Sequence, residues 1–252
     1  MTVASAAPVL LLDQTDSTNA EARRRAEAGE TGPLWIVARR QSAGRGRRGR
    51  AWEGDAGNLF ATLLTTTRRP PAEAAQVTFV AALAVADLLD AFAPPSLVSI
   101  KWPNDVMLAG DKAAGVLVES GGHPGGGLWL AVGVGVNLAH APEGMERPAA
   151  ALAQHLAAGV AAVPGVEAAA RRLAEAFAVW LERWERLGFE PVLDAWRARA
   201  AGLHGPATAR LGHETVEGRA EGVTPDGALK LRLADGRLRL ISAGDVFFGE
   251  AG

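Results

Sequence analysis

Four arginines stand among three glycines in Gly44-Arg45-Gly46-Arg47-Arg48-Gly49-Arg50. A guanidinium offers a planar fork of donors that matches phosphate or carboxylate. Glycine lets backbone N–H groups approach the same anion closely. The spacing also spells G-x-G-x-x-G. A dinucleotide fold needs a helix to open directly after that motif. AWEGDAGN follows instead, so the dinucleotide reading fails on context. No HRD, DFG or G-K-[ST] string occurs, which removes the kinase and P-loop readings. On composition the remaining readings balance: a mobile small-anion loop, an RNA contact, or a solvated basic loop.

Lys101-Trp102-Pro103-Asn104-Asp105 ends a strand in a turn. An aromatic beside polar turn residues can hold a purine by stacking or along its edge. Pro and Asn are equally ordinary turn formers. Lys112 follows, flanked by Ala113, Ala114 and Gly115, whose small side chains let a ligand reach its ammonium. Such a lysine can stabilise a carboxylate attacking a phosphate. The plainer reading is an exposed hairpin lysine. His123, His140, His155, His204 and His213 show no metal-ligand spacing, so no metal held by protein side chains is expected.

These residues need a scaffold. Hydrophobic residues make up 48% and charged residues 21% of 252, the balance of a globular chain able to bury a sizeable core. A net charge of −2 argues against a general polyanion binder. Cysteine is absent, which excludes disulfides and thiol catalysis. The N-terminal tract MTVASAAPVLLL has no basic region and only a short apolar run, so no signal peptide is expected. No apolar run reaches the roughly 18 residues of a membrane span. A cytoplasmic protein without membrane attachment is the expectation.

Patterning predicts strands at 9–12, 34–39, 59–65 and 128–138, and a Gly-Arg loop over 41–58. A helix is predicted over about 18–28, with Thr18 and Glu21 as a capping box and Gly29 as its stop. Further helices are predicted at 73–92, 165–187 and 190–201. Trp180 and Trp184 fall on the buried side of the third of these four helices. VMLAG and AAGVLVES read as a hairpin turning at Gly110-Asp111, and Gly133 and Gly135 leave room on one face of the last strand. After Gly202 the texture becomes short alternating strands with Asp226-Gly227 and Asp235-Gly236 turns, a small antiparallel barrel. Two domains, 1–202 and 203–252, are expected.

In order, DSTN (16–19), QSAGRGRRGRAW (41–52), NL (58–59), KWPND (101–105), DKAAGVLVE (111–119) and VGVGVNL (132–138) resemble the catalytic domain of biotin–protein ligases. The likeness spans about residues 9 to 200 and is weaker beyond. The Arg-rich block together with KWPND carries most of its specificity; related lipoate ligases and octanoyl transferases are not expected to show both.

The resemblance implies an α+β fold: a mixed β-sheet with flanking helices on one side, related to class II synthetases, plus a C-terminal SH3-like barrel. It implies that biotin and ATP form biotinyl-5′-adenylate with Mg2+, and that a lysine of a biotin carboxyl carrier protein then takes the biotin. Ser17, Thr18 and Asn19 would line the biotin pocket, with the Ser or Thr hydroxyl and Gln41 meeting the ureido ring. Gly44, Arg45, Gly46, Arg47 and Arg48 would cover biotin and adenylate. Lys112 and Arg47 would act on the reacting carboxylate and phosphate. Gly115, Leu117, Gly133 and Gly135 would wall the biotin pocket. Arg45, Arg47, Arg48, Arg50, Trp52, Lys101, Asn104 and Asn137 would serve ATP. DSTN begins too early for a preceding helix-turn-helix, so a ligase without DNA binding is expected, as monomer or homodimer. Tyrosine is absent, and ISAGDVFFGEAG matches no assignable motif.

Overall fold

Side chains along Leu34–Ala38 alternate between two separate cores. Trp35 and Val37 join the large core; Leu34 and Ile36 join a smaller one with Ala22, Ala26, Leu64 and Ala131. A strand buried on both faces must lie inside a layered structure. The computed structural model describes residues 7–144 and 148–249. The start of the N-terminal tract and Glu250-Ala251-Gly252 of the unassigned ending lie outside the described residues.

The first part of the chain runs β1 (Val9–Leu12), α1 (Thr18–Glu27), β2 (Leu34–Ala38), β3 (Leu59–Thr67), α2 (Pro71–Ala74) and α3 (Val77–Asp90). Then come β4 (Val98–Lys101), β5 (Asp105–Leu108), β6 (Asp111–Gly122), β7 (Leu128–Val136), α4 (Val166–Leu187), α5 (Glu190–Ala198) and β8 (Ala200–Ala201). These strands form one eight-stranded mixed sheet in the order β1-β2-β3-β7-β6-β5-β4-β8. Only the outer pairs β1–β2 and β4–β8 are parallel. A separate five-stranded antiparallel sheet holds β9 (Pro206–Arg210), β10 (Thr215–Val223), β11 (Leu229–Arg232), β12 (Leu238–Ile241) and β13 (Asp245–Phe248), in the order β12-β11-β10-β9-β13. This is the expected mixed sheet with flanking helices and a small C-terminal β unit.

Helices cover both sheet faces, not one. α3, α4 and α5 bury their apolar sides in the large core, while Ala22 and Ala26 of α1 pack on the opposite face. Trp184 is buried and Trp180 packs against the core, and both indole N–H groups are satisfied, by Gln76 Oε1 at 3.0 Å and Asp87 Oδ2 at 2.6 Å. Among the described residues, the stretch Pro71–Asp90 has the length and apolar composition of a membrane span, and most of it is buried inside the fold. It is therefore a core element here.

Several local expectations shift. The 73–92 helix divides around Ala75-Gln76, where N–H groups of Thr78 and Phe79 bond three residues back. The 190–201 helix stops at Ala198, and Ala200-Ala201 pair in parallel with Ile100-Lys101. The β5–β6 turn centres on Ala109 and Gly110, both at positive φ, one residue earlier than expected. The capping box at Thr18 does not form. Ser17 is the N-cap residue, the Thr18 N–H donates to Gln41 Oε1 at 2.8 Å, and Glu21 pairs with Arg24 and Arg25. A distant glutamine thus replaces the local acceptor. Gly29 does stop the helix, at φ 95°.

α1 is docked by a polar side chain set in a glycine slot. A methyl at Gly133 would overlap Asn19 Oδ1. Asn19 Nδ2 donates to Glu119 Oε2 at 2.8 Å and to the Leu117 carbonyl at 3.2 Å. Gly133→Ala should evict this side chain and cost about 1–3 kcal/mol, the usual penalty for overpacking. Gly122, with open space around its Cβ position, is the control. Urea unfolding should show a clear loss of stability for Gly133→Ala and little change for Gly122→Ala; equal midpoints would count against the slot.

Candidate active site

One bulge sets the register of the site. β5 pairs with β6 so that Met107 faces Lys112, yet Val106 faces Ala114 and Asp105 faces Gly115. Ala113 is the extra residue, and it lets Lys112 and Gly115 share the face that Asp105 occupies. Ala113, Ala114 and Val116 are buried in the helix-side core. The open face reads as rows: Thr62, Gly133 and Leu117 lie across from one another, then Gly135, Gly115 and Asp105.

Lys112 Nζ lies 2.6 Å from Asp105 Oδ1 and 5.5 Å from the Trp52 ring centroid. Its side chain is 37% exposed, so the ammonium keeps access to the cavity. This pair joins KWPND to DKAAG, two blocks the sequence presents separately. Trp52 lies on the glycine floor: a methyl at Gly135 would come within 2.5 Å of its indole, and one at Gly115 within 3.3 Å. The room those glycines leave is therefore filled first by Trp52, as Gly133's is by Asn19.

A second cluster is uncharged. Thr62 Oγ1 lies 2.7 Å from Asn19 Oδ1 and 2.8 Å from Thr18 Oγ1. A carbonyl oxygen only accepts, so the Thr62 proton goes to Asn19 and Thr18 donates to Thr62. Gln41 Oε1 meanwhile receives the Thr18 N–H. Ser17, Thr18 and Asn19 are each about 4% exposed, yet border the cavity. Buried hydroxyls and amides locked this way form a preorganised neutral recognition surface.

The Gly-Arg segment folds as a small hairpin, with Trp52 N–H donating to the Gly44 carbonyl and Gly46 N–H to that of Arg50. Its arginines part company. Arg47 turns inward and donates from Nη1 to Asn104 Oδ1 at 3.0 Å. Burial pushes the Arg47 pKa down, while Asp245 and Asp105 support its charge. Arg48 and Arg50 both reach Asp245 of β13. Burial, the largest influence on Asp245, raises its pKa, but these two guanidiniums together outweigh it and hold the carboxyl below its ordinary value.

These groups line one cavity of about 790 Å³ between the two sheets. It gathers Ser17, Thr18, Asn19, Gln41, Arg45, Gly46, Arg47, Arg50 and Trp52 with Lys101, Asn104, Lys112, Gly115, Leu117, Gly133, Gly135 and Asn137. Gly44 and Arg48 do not line it. Gly44 packs against the Trp52 carbonyl, and Arg48 points to Asp245 and the Arg210 carbonyl. Asn104 Nδ2 and Asn137 Nδ2 donate to the carbonyls of Val116 (2.6 Å) and Ala150 (3.1 Å), which sets their orientation.

Sequence reasoning left several contributors unassigned. Thr62 is fully buried beneath Asn19, and the lone hydroxyl within LFATLL was its available signal. Asp245, Arg210 and Phe247 bring the C-terminal sheet to the cavity wall, and no local motif marks them. Trp102 is 2% exposed, and its N–H donates to the Gly227 carbonyl at 2.9 Å. It joins the sheets at the cavity wall.

Residues 11–137 match the biotin/lipoate A/B protein ligase family, and residues 207–249 match the biotin protein ligase C-terminal domain. The chain is 46% identical over 241 residues to a biotin–[acetyl-CoA-carboxylase] ligase of Paracoccus denitrificans, covering 95% of this chain and 100% of that protein. It is 34% identical to the protein of the same name from Mycobacterium tuberculosis, covering 92% and 86% respectively. In fold it is similar to the biotin protein ligase of Aquifex aeolicus in complex with biotin and ATP, with a TM-score of 0.80, 22% identity and coverage of 96% and 99%. The bulged lysine hairpin, the neutral cluster and the cavity between the two sheets thus sit in a chain that belongs to the biotin protein ligase family.

Proposed function

We propose that this chain joins biotin to ATP as biotinyl-5′-adenylate and passes the biotin to a lysine of a biotin carboxyl carrier protein, a subunit of acetyl-CoA carboxylase or a related enzyme. One observation carries this reading: a single cavity has a neutral hydroxyl–amide end at Thr18, Asn19 and Gln41, and Lys112 and Arg47 farther along it. Biotin has the matching polarity, a neutral ureido ring at one end and a carboxylate at the other.

Ser17, Thr18, Asn19 and Gln41 hold the ring. Trp52 and the strip of Gly115, Gly133 and Gly135 shape the channel for the tail. Lys112 and Arg47 orient the carboxylate against the α-phosphate and stabilise the charge that builds there. The carboxylate oxygen attacks phosphorus and pyrophosphate leaves. A carrier amine then attacks the acyl carbon and AMP leaves. No covalent protein intermediate is needed; orientation and positive charge suffice. Arg45, Lys101, Asn104 and Asn137 serve the nucleotide side. A magnesium ion arriving with the nucleotide would supply charge neutralisation on the triphosphate. Among the described residues no three acidic or histidine side chains gather as a metal cluster. The division near Gly202 separates a catalytic domain from a C-terminal β domain, supported by the change of sheet. ATP and the carrier are met in the cytoplasm.

Pyrophosphate exchange into ATP, run with biotin, lipoate or octanoate, tests the substrate class. Biotin should support exchange and the other acids should not; exchange with lipoate alone would make this a lipoate ligase. Lys112→Ala should slow adenylate formation by roughly 10²–10³-fold, the scale for removing one electrostatic contact to a transition state. Circular dichroism should show the fold intact. Normal turnover in that variant would remove Lys112 from the chemistry.

A further inference from the structure

The four arginines of the loop divide between two tasks, and the second has no place in the chemistry just described. Arg48 Nη1 donates to Asp245 Oδ2 at 3.0 Å and to the Arg210 carbonyl at 3.0 Å. Asp245 and Arg210 face each other across β13 and β9, so one guanidinium grips two paired strands. Arg50 donates to the same Asp245 oxygen. Arg48 does this from φ 58°, a left-handed conformation that L side chains rarely adopt, with Gly49 following at φ 73°. Such backbone persists where tertiary contacts hold it. The Asp245 side chain is 18% exposed, so its ion pairs are less screened than open surface pairs.

We propose that Asp245 is a positioning residue. Through Arg48 and Arg50 it clasps the Gly-Arg hairpin to the C-terminal sheet and keeps that hairpin closed over the acyl-adenylate until the carrier lysine arrives. The hairpin is short and cross-bonded, from Gly44 to Trp52 and from Gly46 to Arg50. A hold on Arg48 and Arg50 is therefore transmitted to Arg47 and Trp52, which lie against Asn104 and Lys112. Opening would admit water to the mixed anhydride, which adds to the acyl carbon and expels AMP, returning biotin unused. This role rests on the adenylate-forming reading above; the clasp itself does not.

Limited trypsin digestion of the full chain reads the clasp directly, because the loop offers four arginines as cleavage sites. Asp245→Ala and the double variant Arg48→Ala/Arg50→Lys should each speed cleavage within the loop several-fold, and the triple variant should be no faster than either. Asp245→Glu should stay near the parent. Cleavage after exposed Arg186, at the far end of α4, should be unchanged in all of them and so reports an intact fold. Unchanged loop cleavage in Asp245→Ala, or fully additive effects, would overturn the proposal.

With biotin and ATP but no carrier, Asp245→Ala should lose preformed adenylate several-fold faster while KM for ATP stays near the parent value. A large rise in that KM for the double arginine variant alone would mean that Arg48 and Arg50 serve the nucleotide, and would also overturn it. If no adenylate forms at all, the functional reading fails, and the protease result still decides the clasp.

Discussion

The face of the sheet that α3, α4 and α5 cover is closed to polar groups, so the site must be built on the other face, beside α1, and this constraint governs all of it. Residues alternate faces along a strand, so the number of residues between two functional side chains decides whether they can meet. Lys112 and Gly115 are three apart and would point opposite ways on a regular strand. The extra residue Ala113 removes the conflict. It leaves Ala114 and Val116 in the helix-side core while Lys112 stands beside Asp105. The same alternation puts Gly133 and Gly135 on the open face, where their missing side chains leave space for Asn19 and Trp52.

Much of this was legible because it is written in short contiguous blocks. The Gly-Arg loop, KWPND and Lys112 could each be singled out by residue type, Ser17–Asn19 only by the family resemblance, and the structure brings members of every block to one cavity. The strands were legible from their apolar content and the long amphipathic helix from its period. The failures have a common cause. Thr18 looks like a helix cap by local spacing, but Gln41 arrives from a distant loop to take its N–H. Trp102 looks like a ligand platform beside a turn, but its indole N–H is taken by Gly227 of the C-terminal sheet. Local pattern registers what a residue is able to do, and tertiary neighbours decide which capability is used.

The arginine loop shows the limit most clearly. Arg45, Arg47, Arg48 and Arg50 are chemically identical, and sequence gives no reason to sort them. Sorting comes from backbone shape and from one carboxylate nearly two hundred positions away. Asp245 takes two of them to the C-terminal sheet, and Asn104 receives a third. A cluster of like charges is thereby neutralised on one side without giving up the cation that Arg47 turns into the cavity. Electrostatics and loop geometry are the same design problem here.

The indole of Trp102 also bears on how such chains are put together. Its N–H reaches the Gly227 carbonyl in a turn of the C-terminal sheet, and the same glycine packs against Phe79 and Phe189. A tryptophan inside the KWPND block is therefore spent on the C-terminal β domain. Without that domain the motif would keep its spelling but lose its acceptor and its cover. The two halves are consequently not interchangeable cassettes: grafting a different β domain onto this ligase core would have to reproduce one carbonyl at one turn before the motif could sit as it does.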